Sequence, residues 1–257
     1  MNTLVLGIRQ ARYEMRAFWR NPAAAFFTFL FPLMFLFIFN SVLGDGAISI
    51  PGGEVDTSTF YVPAILAFSV ISATYTNISM TVVYSRDGGL LKRVRGTPLP
   101  SLAYFIGRIL QAIGVTLILV VIVMAAGIFV YGVELDAEKI PWLVLTLIVG
   151  SACFCALGLA ITGFVPNADA APAVINASIL PLLFISNVFI PTADAPSWMN
   201  DLASVFPVSH FANSLIAGFN PFVEGSGFDL ESLLIMAGWG IVGTAIAMRY
   251  FTWEPRK

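Results

Sequence analysis

Six runs of apolar residues constrain this 257-residue chain more than any motif in it: 22–43, 60–83, 103–130, 140–164, 171–190 and 232–250. Each approaches or exceeds the ~20 residues that a helix rising 1.5 Å per residue needs to cross roughly 30 Å of hydrocarbon. Lipid offers no hydrogen bonds, so runs of this kind fold as helices that satisfy their own backbone. Hydrophobic residues make up 58% of the chain and charged residues 11%, against roughly 25% charged in a soluble domain. The predicted fold is a single all-α integral membrane domain, 1–257, with six transmembrane helices.

Charge orients the bundle. Of the 13 Lys and Arg residues, 12 fall in the N-terminal segment, in 84–108 or in the tail from Arg249, and only Lys139 falls elsewhere. The alternate loops (44–59, 131–139 and 191–231) hold 11 of the 15 acids. Cytoplasmic loops carry the excess of Lys and Arg, so both termini are predicted to be cytoplasmic. Within residues 1–21, Arg9, Arg12, Arg16 and Arg20 share one helical face while Leu4, Ile8, Ala11, Met15 and Phe18 share another. That is the pattern of an interfacial amphipathic helix, with Trp19 at the border of the two faces. The next apolar run is too long for a leader's apolar core and ends in no small-x-small site, so it is expected to remain as a span.

What the spans lack is equally informative. No Asp, Glu, Lys or His lies deep in one, and Arg108 is near enough to an inner end to snorkel. Ion-coupled carriers place such groups in the membrane, so uphill transport by this chain would need an outside energy source. Cys153 and Cys155 lie in an apolar run and read as packing residues rather than metal ligands. His210 lies in an outer loop as a polar interface group. A net charge of −2 leaves no basic footprint for nucleic acid. Gly238, Gly240 and Gly243 spell a dinucleotide-binding pattern within a span, where it has no meaning, and the Asn-x-Ser matches at Asn77 and Asn176 are equally buried.

Polar residues do occur in the spans. Ser69, Ser72, Thr76 and Ser79 step by three and four along span two, and Asn176 and Asn187 accompany Pro172 and Pro181 on span five. They can line a solute pathway, or can bond their own and neighbouring helices. The segment 84–102 is basic and too polar to cross. Leu90, Leu91 and Val94 give a short helix, predicted from about Asp87 to Arg95, one apolar edge. Asp87 is its predicted N-cap, and Gly96 and Pro98 end it. In the loop 191–231, Trp198, Met199, Leu202, Val205 and Phe206 mark one short helix, and Val208, Phe211 and Leu215 a second. They form either a pair dipping into the outer leaflet or an external lid.

Two motif regions resemble a known family. Arg86-Asp87-Gly88-Gly89-Leu90-Leu91 through Thr97-Pro98-Leu99-Pro100, continued by Tyr104, Gly107 and Arg108, resembles the coupling helix of type-2 ABC exporter permeases of the daunorubicin-resistance type. Asn187-Val188-Phe189-Ile190-Pro191, Trp198 and Phe206-Pro207-Val208 are similar to that family's outer-loop signature. The family's acid is more often Glu where this chain has Asp87, and the Gly88-Gly89 pair suggests a helix that begins later. The resemblance implies a plasma-membrane exporter subunit of prokaryotic type, working as a pair of permeases with two copies of an ATP-binding subunit below. Spans one and five would form the permease contact. It also implies that Arg86, Asp87, Gly89, Leu90, Leu91, Lys92, Arg93 and Val94 couple to the ATPase. Phe189, Pro191, Trp198 and Phe206 would form an outer gate or lid. The chain has no GxxxxGK[ST] sequence, so ATP and Mg would sit on the other polypeptide, with no cofactor on this one. Drug, lipid, peptide and glycan substrates all stay open. The competing function is a stand-alone channel or facilitator with the span-two stripe as its pore, which would have no use for 84–102.

Overall fold

The computed structural model describes residues 2–43, 46–50, 52–192, 195–223 and 225–254. Its centre is one continuous helix of 31 residues built from α3 (Thr57–Ile71), a π-helical turn (Ser72–Thr76) and α4 (Asn77–Asp87). Its apolar stretch is 83% buried, against 17% for α2 (Pro22–Leu43). Apolar side chains all round make a helix a buried post rather than a wall. Around it stand α2, α6 (Ser101–Phe129) and α7 (Ile140–Thr162), and α11 (Leu230–Tyr250) packs against α7 rather than against the centre. α7 and α11 run parallel through small residues: Gly240 lies opposite Cys153, Gly243 against Leu157 and Gly163 against Tyr250. Small side chains let the two backbones close up, which is how helices associate when lipid is as apolar as they are.

Helix α1 (Thr3–Trp19) starts on Asn2, whose side chain accepts the Leu4 N–H at 3.3 Å. It runs beside the first turns of α6 and in the same direction, with Gly7 against Ile106, Gln10 against Gly107 and Met15 against Gly114. Arg9, Arg12, Arg16 and Arg20 are exposed, but so are Leu4 and Ile8 of the predicted apolar face. A second exception on this helix is Glu14, whose carboxylate pairs with Arg108 at 2.8 Å. Arg108 therefore does not simply snorkel: it is buried, and Glu14, Tyr104 and Ser85 surround it.

The largest departure from the sequence prediction is at span five. Helix α8 (Ala171–Ile185) has 15 residues rather than the 20 of 171–190, roughly 22 Å at 1.5 Å per residue. Among the described residues, five helices are long and apolar enough to cross a membrane. α8 still carries the chain from the inner end of α7 to the level of Phe60, because Ile185 and Ser186 share a cavity with Ser49, Ile50 and Phe60. It can be short because a deep hollow lies beyond it. After it come α9 (Ser197–Val205) and α10 (Pro207–Phe219), bent 101° against each other at Phe206. α10 does not sit above the bundle: Phe211 fills the space of a Cβ on Gly150, half-way along α7, and Leu143 does the same to Gly218. The outer loop between α2 and α3 pairs β1 (Ala47–Ile50) with β2 (Gly53–Asp56) in an antiparallel hairpin.

Candidate functional site

The basic segment folds as two pieces. α4 continues through Asp87, Gly88 ends it, and Gly89 takes φ +72, a left-handed conformation open to glycine at little cost. α5 (Leu90–Arg95) then begins. The predicted helix start at Asp87 is thus corrected to Leu90. Asp87 caps nothing there, because it is the last residue of the central helix. Two adjacent leucines part company at this turn. Leu91 is fully buried with Ile78, Val82 and Tyr104, whereas Leu90 is 46% exposed. Lys92, Arg93 and Arg95 face outward and Val94 leans on the Leu91 cluster. The tail returns to the same end of the bundle, where Phe251 and Trp253 pack on Phe105 at 4.9 and 5.6 Å.

Arg86 and Asp87 turn inward. Arg86 is 2% exposed. It donates to the carbonyls of Thr162 at 3.0 Å, Val165 at 2.8 Å and Pro166 at 3.3 Å, and to Asp87 at 3.0 Å. Asp87 accepts the Ala168 N–H with its other oxygen. A guanidinium at the last carbonyls of α7 meets the negative end of that helix, which offsets its loss of water. Of the eight residues predicted to couple, therefore, Leu90, Lys92 and Arg93 are presented outward. Arg86, Asp87, Leu91 and largely Val94 serve the bundle itself, and Gly89 makes the turn.

The span-two stripe is split by the π-turn, whose wider coil rotates the residues beyond it. Ser69 bonds the Ile65 carbonyl at 2.6 Å. Ser79 bonds the carbonyls of Tyr75 at 2.6 Å and Gly158 at 2.8 Å, so its hydroxyl is tied into the helices. Ser69 also lines a cavity of about 360 Å³ together with Ser72 and Thr76, whose other walls include Asn77, Asn176, Phe27, Phe31 and Phe68. Asn187 lies elsewhere, in a left-handed turn (φ 59) after α8. It donates to Asn213 at 2.8 Å and accepts from the Thr192 backbone and hydroxyl at 2.6 and 2.7 Å.

Asn187 and Pro191 both line an outer chamber of about 710 Å³ between α8, α9 and α10. Phe189 does not; it packs with Phe35, Phe68 and Phe184 at 6.0, 5.2 and 5.1 Å. Phe206 stacks on Trp239, whose indole N–H reaches the Val205 carbonyl at 2.8 Å, and Trp198 is exposed. Four residues predicted as one gate thus occupy four separate surroundings. Among the described residues, no group of three His, Cys, Asp or Glu side chains gathers where a metal could sit. The polar side of α10 (Ser209, Asn213 and Ser214), which forms one wall of the chamber, went unread. The signal was present as a spacing of four and five among apolar neighbours.

Long apolar helices around a buried post, with a basic turn at one end and a hollow at the other, define a multi-pass membrane protein. Its family can be stated more closely. The chain belongs to the ABC-2 type transporter family, which it matches over residues 10–220. It is similar to the probable multidrug ABC transporter permease YbhR of Escherichia coli (strain K12), with 24% identity over 160 residues, covering 62% of this chain and 43% of that one. The putative transport permease ycf38 of Porphyra purpurea is 22% identical over 238 residues, covering 91% and 79% of the two chains. The daunorubicin resistance ABC transporter permease protein DrrB1 of Streptomyces coeruleorubidus is 26% identical over 208 residues, covering 78% and 70%. The chain thus spans less than half the length of YbhR and about three quarters of the other two. Membership places it among the membrane-spanning parts of ABC transporters rather than their catalytic parts.

Proposed function

We propose that this chain is the permease of an outward-directed ABC exporter, energised by a separate ATP-binding subunit that docks on the outward edge of α5. Two permeases and two ATPases would complete the transporter, with ATP and Mg held by the ATPases. Both termini would be cytoplasmic, in a prokaryotic plasma membrane. The observation that carries this reading is the division within α5: Leu90, Lys92 and Arg93 project from a helix whose other edge is sunk in the bundle. A cationic rim around an exposed leucine suits a cleft with an apolar floor and acidic edges.

An amphiphilic drug, lipid or glycan-type substrate fits the 360 Å³ cavity, where phenylalanines face Ser72, Thr76 and Asn176 across one space. Mostly apolar walls with a few converging polar groups are the usual makeup of a ligand site. The facilitator reading loses support because the stripe does not continue beyond the π-turn, where Ser79 is tied to the Tyr75 and Gly158 carbonyls. The test is co-expression with an ABC-type ATP-binding subunit from the same genome that co-purifies with the native permease. Leu90→Asp combined with Arg93→Glu should abolish co-purification of the ATPase while leaving the permease in the membrane. A complex that survives both changes with full transport would refute docking at α5.

A further inference from the structure

Arg86 and Asp87 have a second task, which rests on docking at α5. We infer that they are positioning residues: they brace the last turn of α4 to the α7–α8 turn, so that displacement of α5 carries the inner ends of α7 and α8 with it.

α5 is fixed to α4 by Leu91 in the Ile78, Val82 and Tyr104 cluster and by the tight turn at Gly89. Thrust on Leu90 and its cationic rim therefore arrives at the foot of the central helix. One planar guanidinium there spans the end of α7 and the chain beyond it, through Thr162, Val165 and Pro166. Asp87 holds that guanidinium with one oxygen and the Ala168 N–H with the other. Close by, Asn167 accepts the Ala170 N–H at 2.9 Å, next to the first turn of α8. The foot of α4, the end of α7 and the turn leading into α8 thus share one polar network, buried at Arg86 and half-buried at Asp87. A rigid fork transmits direction where a flexible ammonium would not. The pair between α5 and the tail, Arg95 to Glu254 at 3.9 Å, is 62% exposed on both sides and too loosely held to do the same.

The test uses Arg86→Lys, which keeps the charge and loses the fork, and the exchange Arg86→Asp with Asp87→Arg. Spin labels on Thr97→Cys and Asp169→Cys, with Cys153→Ala and Cys155→Ala, report the distance across the brace. In the permease alone, where nothing depends on docking, the native pair should give one narrow distance and Arg86→Lys a broad one. In the complex, Arg86→Lys should retain its ATPase and hydrolyse ATP, while transport per ATP falls roughly five- to a hundredfold, the usual span of coupling between sites. The exchange should not rescue it, because an aspartate at 86 would face three carbonyls. A narrow distance in Arg86→Lys, unchanged transport per ATP, or rescue by the exchange would each overturn the brace. Loss of the ATPase from Arg86→Lys would make Arg86 a docking contact, overturning the brace while leaving docking at α5 intact.

Discussion

The two ends of this bundle solve the burial of polar groups in opposite ways. At the end that carries α5, Arg86 and Arg108 are both buried and both met by a carboxylate, Asp87 at 3.0 Å and Glu14 at 2.8 Å. At the other end, a hollow of about 710 Å³ is lined by serines and asparagines together with apolar residues such as Ile50, Phe60 and Ile216, and Asp229 is its charged wall among the described residues. There the hydroxyls of Ser186 and Ser214, 1% and 3% exposed, have no hydrogen-bond partner among the described residues. Charge met by charge holds helix ends in one arrangement, whereas neutral groups facing a space can exchange partners at little cost. The lesson is that one end of the bundle is fixed by paired charges, whereas the other keeps neutral groups around an open space.

That contrast can be broken most forcefully at Leu91. Leu91→Asp puts a carboxylate into a fully closed apolar cluster and should leave no folded protein in the membrane fraction, while Leu90→Asp one residue away should leave yield and melting temperature unchanged. Next in size is Glu14→Gln, which strands Arg108 and should cost about 3 kcal/mol, read as a lowered melting temperature in detergent. If the end that carries α5 is fixed for the reason given, Arg108→Met with Glu14→Gln should recover most of that loss. Gly150→Ala forces the Phe211 ring aside and should cost about 2 kcal/mol, with Phe211→Leu in the same chain recovering part of it. Ser186→Ala and Ser214→Ala together should leave the stability within about 0.5 kcal/mol of native, read from the melting temperature, since neither hydroxyl has a bond to lose. A large loss there would erase the contrast between the two ends.

Much of this architecture was legible in the residues. Long apolar runs announced the spans, and Pro196 and Pro207 framed the short outer helix that appears as α9. What escaped had two physical causes. Periodicity assumes an α-helix throughout, so it added Ser79, beyond the π-turn at Ser72–Thr76, to a stripe whose other three members share one cavity. Composition treats a cation beside a membrane as a solvated one, so Arg86 was grouped with Lys92 and Arg93. Nothing local reveals that carbonyls some eighty positions away will claim it. Span five was overdrawn because apolar residues continue through Val188 to Ile190, although the chain has already left the helix at Ser186. Glu14 was the better clue, as the one acid in a helix of arginines.

The wide turn at Ser72–Thr76 also ties the register of the foot of the central helix to its length. A π-turn holds one residue more than the α-helical path around it. Deleting one residue there would leave the foot in place, whereas winding the same residues as a plain α-helix would swing everything below through about a quarter turn. Leu91 would leave its niche and Arg86 its three carbonyls. The winding of this segment is therefore a clockwork setting, in which the same residues coiled more tightly misalign every gear downstream although no side chain has changed.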